Sequence, residues 1–231
     1  MFAWTSDDLQ ILRLSVSVAA LATLAALGPA IVVATLLARR RFWGHSAVNA
    51  IVHLPLVLPP VVTGYLLLKL FSPVGAVGRA LAALGAPVAF HWLGAVTAAA
   101  VVGFPLFVLM IALALKAVDP RYERVSRSLG VSPWKTFWRV TLPLTWPGIL
   151  AGAAVGFARG LGEFGATIIL AGRIPGETET IPLQIYAELD APGGERRIVG
   201  LVLTACALCL ACVVASRALD AWYRRRLELD R

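Results

Sequence analysis

Trp92-Leu-Gly-Ala-Val-Thr-Ala-Ala-Ala-Val-Val-Gly-Phe-Pro-Leu-Phe-Val-Leu-Met-Ile-Ala-Leu-Ala-Leu115 carries no charged side chain. A helix needs about 20 apolar residues to cross the ~30 Å hydrocarbon core of a bilayer, and this run exceeds that. Working outward from it, residues 14–37, 47–71, 144–170 and 198–217 meet the same criterion. The whole composition agrees: of 231 residues, 59% are hydrophobic and 15% charged. A soluble domain carries about 25% charge, and one this poor in charge lacks the polar surface to face water. A soluble enzyme, a disulfide scaffold and a disordered chain are all excluded. The reading is an all-α polytopic membrane protein, a single domain over residues 1–231 with about five transmembrane helices. Asp7 and Asp8 precede the first run, whose length and acidic start read as a span rather than a signal peptide.

The net charge of +8 is distributed unevenly. Alternate loops place 14 Lys and Arg on one side and 6 on the other, with Arg159 inside a span. Basic loops stay in the cytoplasm, so the N-terminus is expected outside and the C-terminus inside. The excess charge therefore points to a lipid bilayer and not to nucleic acid. Cys206, Cys209 and Cys212 lie in one apolar run and read as small helix residues rather than cluster ligands. His45, His53 and His91 share no helical spacing, so no metal site is expected. No H-E-x-x-H, G-x-S-x-G or G-x-x-x-x-G-K-[ST] pattern occurs, which leaves the chain without catalytic residues or an ATP site of its own.

The basic loop over residues 116–143 carries the most information outside the spans. Asp119-Pro120 is an N-cap followed by proline in the first helical position, and Gly130 suits a left-handed C-terminal cap. Between them Tyr122, Val125, Ser126 and Leu129 recur at i, i+3, i+4 and i+7 and share a face. Ser132-Pro133 repeats the cap signal before a second short helix over residues 134–140. Such a helix either rests on the membrane surface or docks into a partner's groove, and periodicity does not choose between them.

Motifs do discriminate. Glu123-Arg-Val-Ser-Arg-Ser-Leu-Gly130, followed after nine residues by Val140-Thr-Leu-Pro143, resembles the EAA loop of ABC importer permeases. Glu123, Gly130, Leu142 and Pro143 match it, and Val125 and Ser126 replace its usual alanines. His53-Leu-Pro-Leu-Val-Leu-Pro-Pro60-Val-Val-Thr-Gly64-Tyr resembles the second span of molybdate permeases. Arg159-Gly-Leu-Gly-Glu163-Phe-Gly-Ala-Thr167 is similar to segments of molybdate, tungstate and sulfate permeases. Ile174-Pro-Gly-Glu-Thr178 and Thr180-Ile-Pro-Leu-Gln-Ile-Tyr186 are similar to the molybdate branch.

The resemblance implies the transmembrane subunit of an ATP-driven molybdate importer in a bacterial inner membrane, with tungstate or sulfate as alternative cargo. It implies a homodimer, two cytoplasmic ABC ATPase subunits and an external oxyanion-binding protein. It makes Glu123, Val125, Ser126, Leu129, Gly130, Leu142 and Pro143 the coupling residues, and no cofactor is implied. A reading from a different class is an autonomous anion channel.

Two features mark the spans themselves. Arg159 and Glu163 lie within one run, where each charge costs about 2.5–3.5 kcal/mol at the bilayer centre on insertion scales. Four residues apart, they are expected on one helix face, either as a pair that locks the bundle or as a gate. Gly160, Gly162 and Gly165 surround them and permit close helix approach. Pro55, Pro59 and Pro60 break the second span, and broken backbone at that depth is tolerated where protein buries it or where it lines a cavity. Amides freed there can receive an anion. Pro59, Pro60, Thr63, Gly64, Arg159, Glu163 and Thr167 are therefore the expected pathway or gate residues.

Overall fold

The computed structural model describes residues 5–229. Arg231 and the side chains of Arg224, Arg225 and Arg226, counted above with the basic side, lie outside what is described. Among the described residues every regular element is a helix, and there are no strands. Four helices are long and apolar enough to cross a membrane, and a bent pair makes up to a fifth.

The first helix, α1 (Ser6–Arg39), starts eight residues before the apolar run because Thr5 and Asp8 form a reciprocal capping box. The second span is two helices, α2 (His45–Val57) and α3 (Pro60–Phe71), whose axes differ by 113°. Pro59 and Pro60 cause the break: neither offers an N–H, and Pro60 suits the first position of a new helix. A short α4 (Ala76–Ala83) leads to α5 (Trp92–Ala117), the span read first from the sequence.

Beyond α5 lie α6 (Pro120–Ser128) and α7 (Pro133–Thr136). From α7 the chain passes through a π-helical turn (Phe137–Thr141) into α8 (Leu142–Leu161). The second short helix of the loop therefore joins the fourth span without a stop. The fourth span itself departs from the single helix expected over 144–170. It breaks after Leu161 and resumes as α9 (Gly165–Leu170). A short α10 (Ile181–Glu188) precedes α11 (Glu195–Leu229), which extends past residue 217.

The bundle is organised around α5, which packs against α1, α8, α9 and α2. Ala22, Ala26, Ala30 and Ala34 recur every four residues along α1 and are buried. The small side chains of Ala26, Ala30 and Ala34 let the helix lie close to Phe107, Val108, Ile111 and Leu115 of α5 and Ile149 of α8, and Ala22 packs with Ala95 and Ala99 of α5. Glycines do the same between α5 and α8: a Cβ on Gly156 would stand 2.0 Å from Phe107 Cζ, and one on Gly148 would stand 2.1 Å from Ala114 Cβ.

One end of the bundle is closed by ionic groups. Asp8 accepts from Arg197 Nε at 2.8 Å, and Arg197 Nη1 reaches Glu188 Oε1 at 2.7 Å. Gln184 and Arg173 extend this chain to Glu179, tying α1, the 171–180 loop, α10 and α11 together. The other end holds α6, against the last turn of α1.

Candidate functional site

Two places collect the residues that the sequence singles out. The first is the break in the fourth span. Glu163 is 3% exposed and stands in the gap between α8 and α9. It is thus not on a shared helix face with Arg159, as the four-residue spacing predicts, yet the two still pair: Arg159 Nη1 lies 2.7 Å from Glu163 Oε2. The other carboxylate oxygen accepts the Ala166 amide at 2.8 Å, so Glu163 also caps the first turn of α9. One side chain therefore neutralises Arg159 and ends the orphanhood of a backbone donor. The cap needs the break, because in a continuous helix the Ala166 amide would be bonded to a carbonyl one turn back; the ion pair does not, since i,i+4 partners also meet on an unbroken helix.

The break in the second span meets the break in the fourth. A Cβ on Gly165 would lie 2.8 Å from Pro60 Cβ and 3.3 Å from the Val61 nitrogen. One on Gly64 would lie 2.7 Å from Ala166 Cα. Only glycine allows α3 and α9 to touch so closely. The two helices start side by side, and Leu67 of α3 packs with Ala166 and Leu170 of α9. Helix N-termini carry partial positive charge, so two of them beside a guanidinium favour an anion, with Glu163 offsetting part of that charge.

The expected pathway residues divide by exposure. Pro59 and Pro60 are exposed, and the Arg159 side chain keeps 32% of its surface free. Thr63, Gly64 and Thr167 are buried in the bundle, and Gly64 lies directly against α9. The Thr63 hydroxyl has no hydrogen-bond partner there. Phe164, inside the break, meets the exposed Tyr186 ring with centroids 5.1 Å apart. Neither aromatic was singled out in the sequence, although Tyr186 closes a quoted motif.

The second place is α6. Asp119 caps it by accepting the Arg121 amide at 2.8 Å. Gly130 ends it with φ +80°. The Gly130 and Val131 amides donate to the carbonyls of Arg127 and Ser126, the paired bonds of a Schellman motif. The helix sorts the residues expected to couple onto two sides. Tyr122, Val125 and Leu129 are 52%, 59% and 77% exposed, an apolar row turned away from the bundle. Glu123 and Ser126 turn the other way. Glu123 Oε1 lies 3.0 Å from Arg39 Nη2 and accepts the Thr141 hydroxyl at 2.8 Å. Ser126 Oγ bonds Thr136 Oγ1 at 3.0 Å. Periodicity puts Ser126 with Tyr122, Val125 and Leu129, whereas the structure gives it a bundle-side partner. Leu142 and Pro143 begin α8 beside these ties. Arg39, Thr136 and Thr141 are partners that sequence reasoning passed over.

Residues 30–228 match the family model described as binding-protein-dependent transport system inner membrane component. The chain is 45% identical over 222 residues to the molybdenum transport system permease protein ModB of Haemophilus influenzae, covering 96% of this chain and 95% of that one. Among solved structures, a bacterial ABC transporter involved in the import of the acidic polysaccharide alginate superposes with a TM-score of 0.70 at 18% identity, covering 94% of this chain and 80% of that one. The MetNI methionine ABC transporter in an inward-facing conformation also gives 0.70, at 14% identity, covering 95% of this chain and 99% of that one.

Proposed function

The chain belongs to the family of binding-protein-dependent transport system inner membrane components, and from that membership we propose that it is the transmembrane subunit of an ATP-driven molybdate importer. The observation that carries this reading is the 45% identity to a molybdenum permease over 96% of the chain. The geometry agrees with an anionic cargo: α3 and α9 begin side by side next to Arg159.

The permease works as a homodimer in a bacterial inner membrane. Each copy docks one cytoplasmic ABC ATPase through Tyr122, Val125 and Leu129. An external oxyanion-binding protein delivers the dianion at the Asp8–Arg197 end. ATP closes the ATPase pair, the docked helices shift, and the copies part on alternate sides of the membrane. The anion passes between the broken second and fourth spans of the two copies, where Pro59, Pro60 and Arg159 meet it and the buried Glu163 sets how much of the Arg159 charge is left to receive it. Thr63, Gly64 and Thr167 enter that path only when α3 and α9 separate. Hydrolysis belongs to the partner, since the chain has no phosphate-binding loop.

Uptake of labelled molybdate tests the reading in cells that lack any other molybdate importer. Cells given this chain with its ATPase and binding protein should accumulate molybdate, and cells missing the permease alone should not. Equal gain of sulfate uptake would move the assignment to a broader oxyanion importer. In the same cells, with the native cysteines replaced, an impermeant thiol reagent should reach a cysteine at Gly193 but not one at Ser132. The opposite pattern overturns the orientation.

A further inference from the structure

Glu123 is gripped from two directions by residues of different helices. Arg39 is the last residue of α1 and Thr141 the last of the π-helical turn, and both lie within 3.0 Å of the same oxygen, Glu123 Oε1. One turn along α6, Ser126 is tied to the buried Thr136 of α7. Although α6 follows α5 in sequence, its packing is chiefly onto α7 and the π-helical turn. Only Val118 and Asp119 join it to α5, and a two-residue link transmits little thrust.

The grip falls at the base of a lever. The Thr141 carbonyl accepts the Thr145 hydroxyl at 2.6 Å, inside the first turn of α8. From there α8 runs 20 residues, about 30 Å at helical rise, and near its far end Arg159 holds Glu163. The base itself is π-helical, a geometry that is rare, appears mostly as single turns and concentrates at functional sites.

We propose that Arg39 and Thr141 are positioning residues that clamp the docking helix to α1 and to the base of α8 through the shared carboxylate of Glu123. This rests on the importer reading above. Displacement of α6 by the ATPase is then passed along α8 to the break that Glu163 caps. The outward row of Tyr122, Val125 and Leu129 is not part of the clamp. Loosening the clamp therefore separates ATP hydrolysis from transport instead of detaching the ATPase.

The test uses the complete complex in proteoliposomes and reads molybdate taken up per ATP hydrolysed. Arg39→Gln should lower that ratio at least tenfold and Thr141→Val severalfold, with ATPase pull-down at wild-type levels. Arg39→Lys, which keeps the charge, should recover most of the ratio. An unchanged ratio in Arg39→Gln and Thr141→Val overturns the proposal. So does loss of ATPase binding in Thr141→Val, because the tie would then merely fold the docking surface. A second readout is independent of the cargo: the distance between spin labels at positions 127 and 144 in a background without native cysteines. Wild type should give one narrow distribution and both variants a broad one, and identical distributions contradict the clamp. If wild type shows the narrow distribution but moves no molybdate, it is the importer reading that fails.

Discussion

Val125→Asp should abolish ATP-driven uptake by removing the ATPase from the complex. Val125 sits in the middle of the outward row of α6 and is 59% exposed in the isolated chain. A groove that buries it would have to desolvate an unpaired carboxylate, at a cost of about 3 kcal/mol or more. That is roughly a hundredfold loss of affinity. Gly130→Val should act on the same contact by another route. No atom lies within 4 Å of a Cβ there, so space is not the obstacle. The obstacle is φ of +80°, which a β-branched residue adopts only with strain. The Schellman bonds would open and the docking row would leave at a different angle. Insertion and dimerisation should survive both changes, because α6 lies outside the spans. Pull-down of the purified variants with the cognate ATPase reads the effect. Wild-type binding and uptake in both would make α6 a membrane-surface helix instead.

Glu163→Gln should cost more assembly than Arg159→Gln and Glu163→Gln combined. The glutamine retains an oxygen for the Ala166 amide, so the cap of α9 persists and only the charge is lost. The single variant strands Arg159 beside a buried neutral group. Breaking a buried pair costs about 3–5 kcal/mol, and the 32% exposure of the Arg159 side chain places this case at or below the low end. Removing both charges leaves no stranded ion, and assembly should return close to wild type. Transport should not return: with the guanidinium gone, molybdate uptake by the double variant should fall at least tenfold. A double variant that assembles and transports normally would reduce the pair to a structural lock.

The spans and the ends of α6 are legible because their signals are local. Asp119-Pro120 and Gly130 act on their own backbone, and they set the ends of α6 whatever the rest of the chain does. The proline break at Pro59 and Pro60 is local in the same sense. The break after Leu161 is not. Its residues fall within a run that is apolar on average, and the dip at Arg159 and Glu163 marks charge without saying that the helix stops. What holds the gap open is a side chain that caps α9 and pairs with Arg159, together with Pro60 and Val61 pressing on Gly165 from another helix. Gly162 and Gly165 on either side of a charge are the available sign, and in sequence they are indistinguishable from packing glycines. The two sides of α6 were hidden for a similar reason. Periodicity shows which residues share a face but not where its edge falls, and the partner of Ser126 is ten positions along the chain. In sequence Arg39 is only loop charge, because nothing near it announces that it will meet Glu123.

The most direct measurement of the central claim is molybdate flux into proteoliposomes of the purified permease, its ATPase and its binding protein, with and without ATP. The account predicts uptake only when all three proteins are present and ATP is on the ATPase side, and none by the permease alone. Flux through the permease alone, at the same rate with or without ATP, would make the chain a channel and contradict the account.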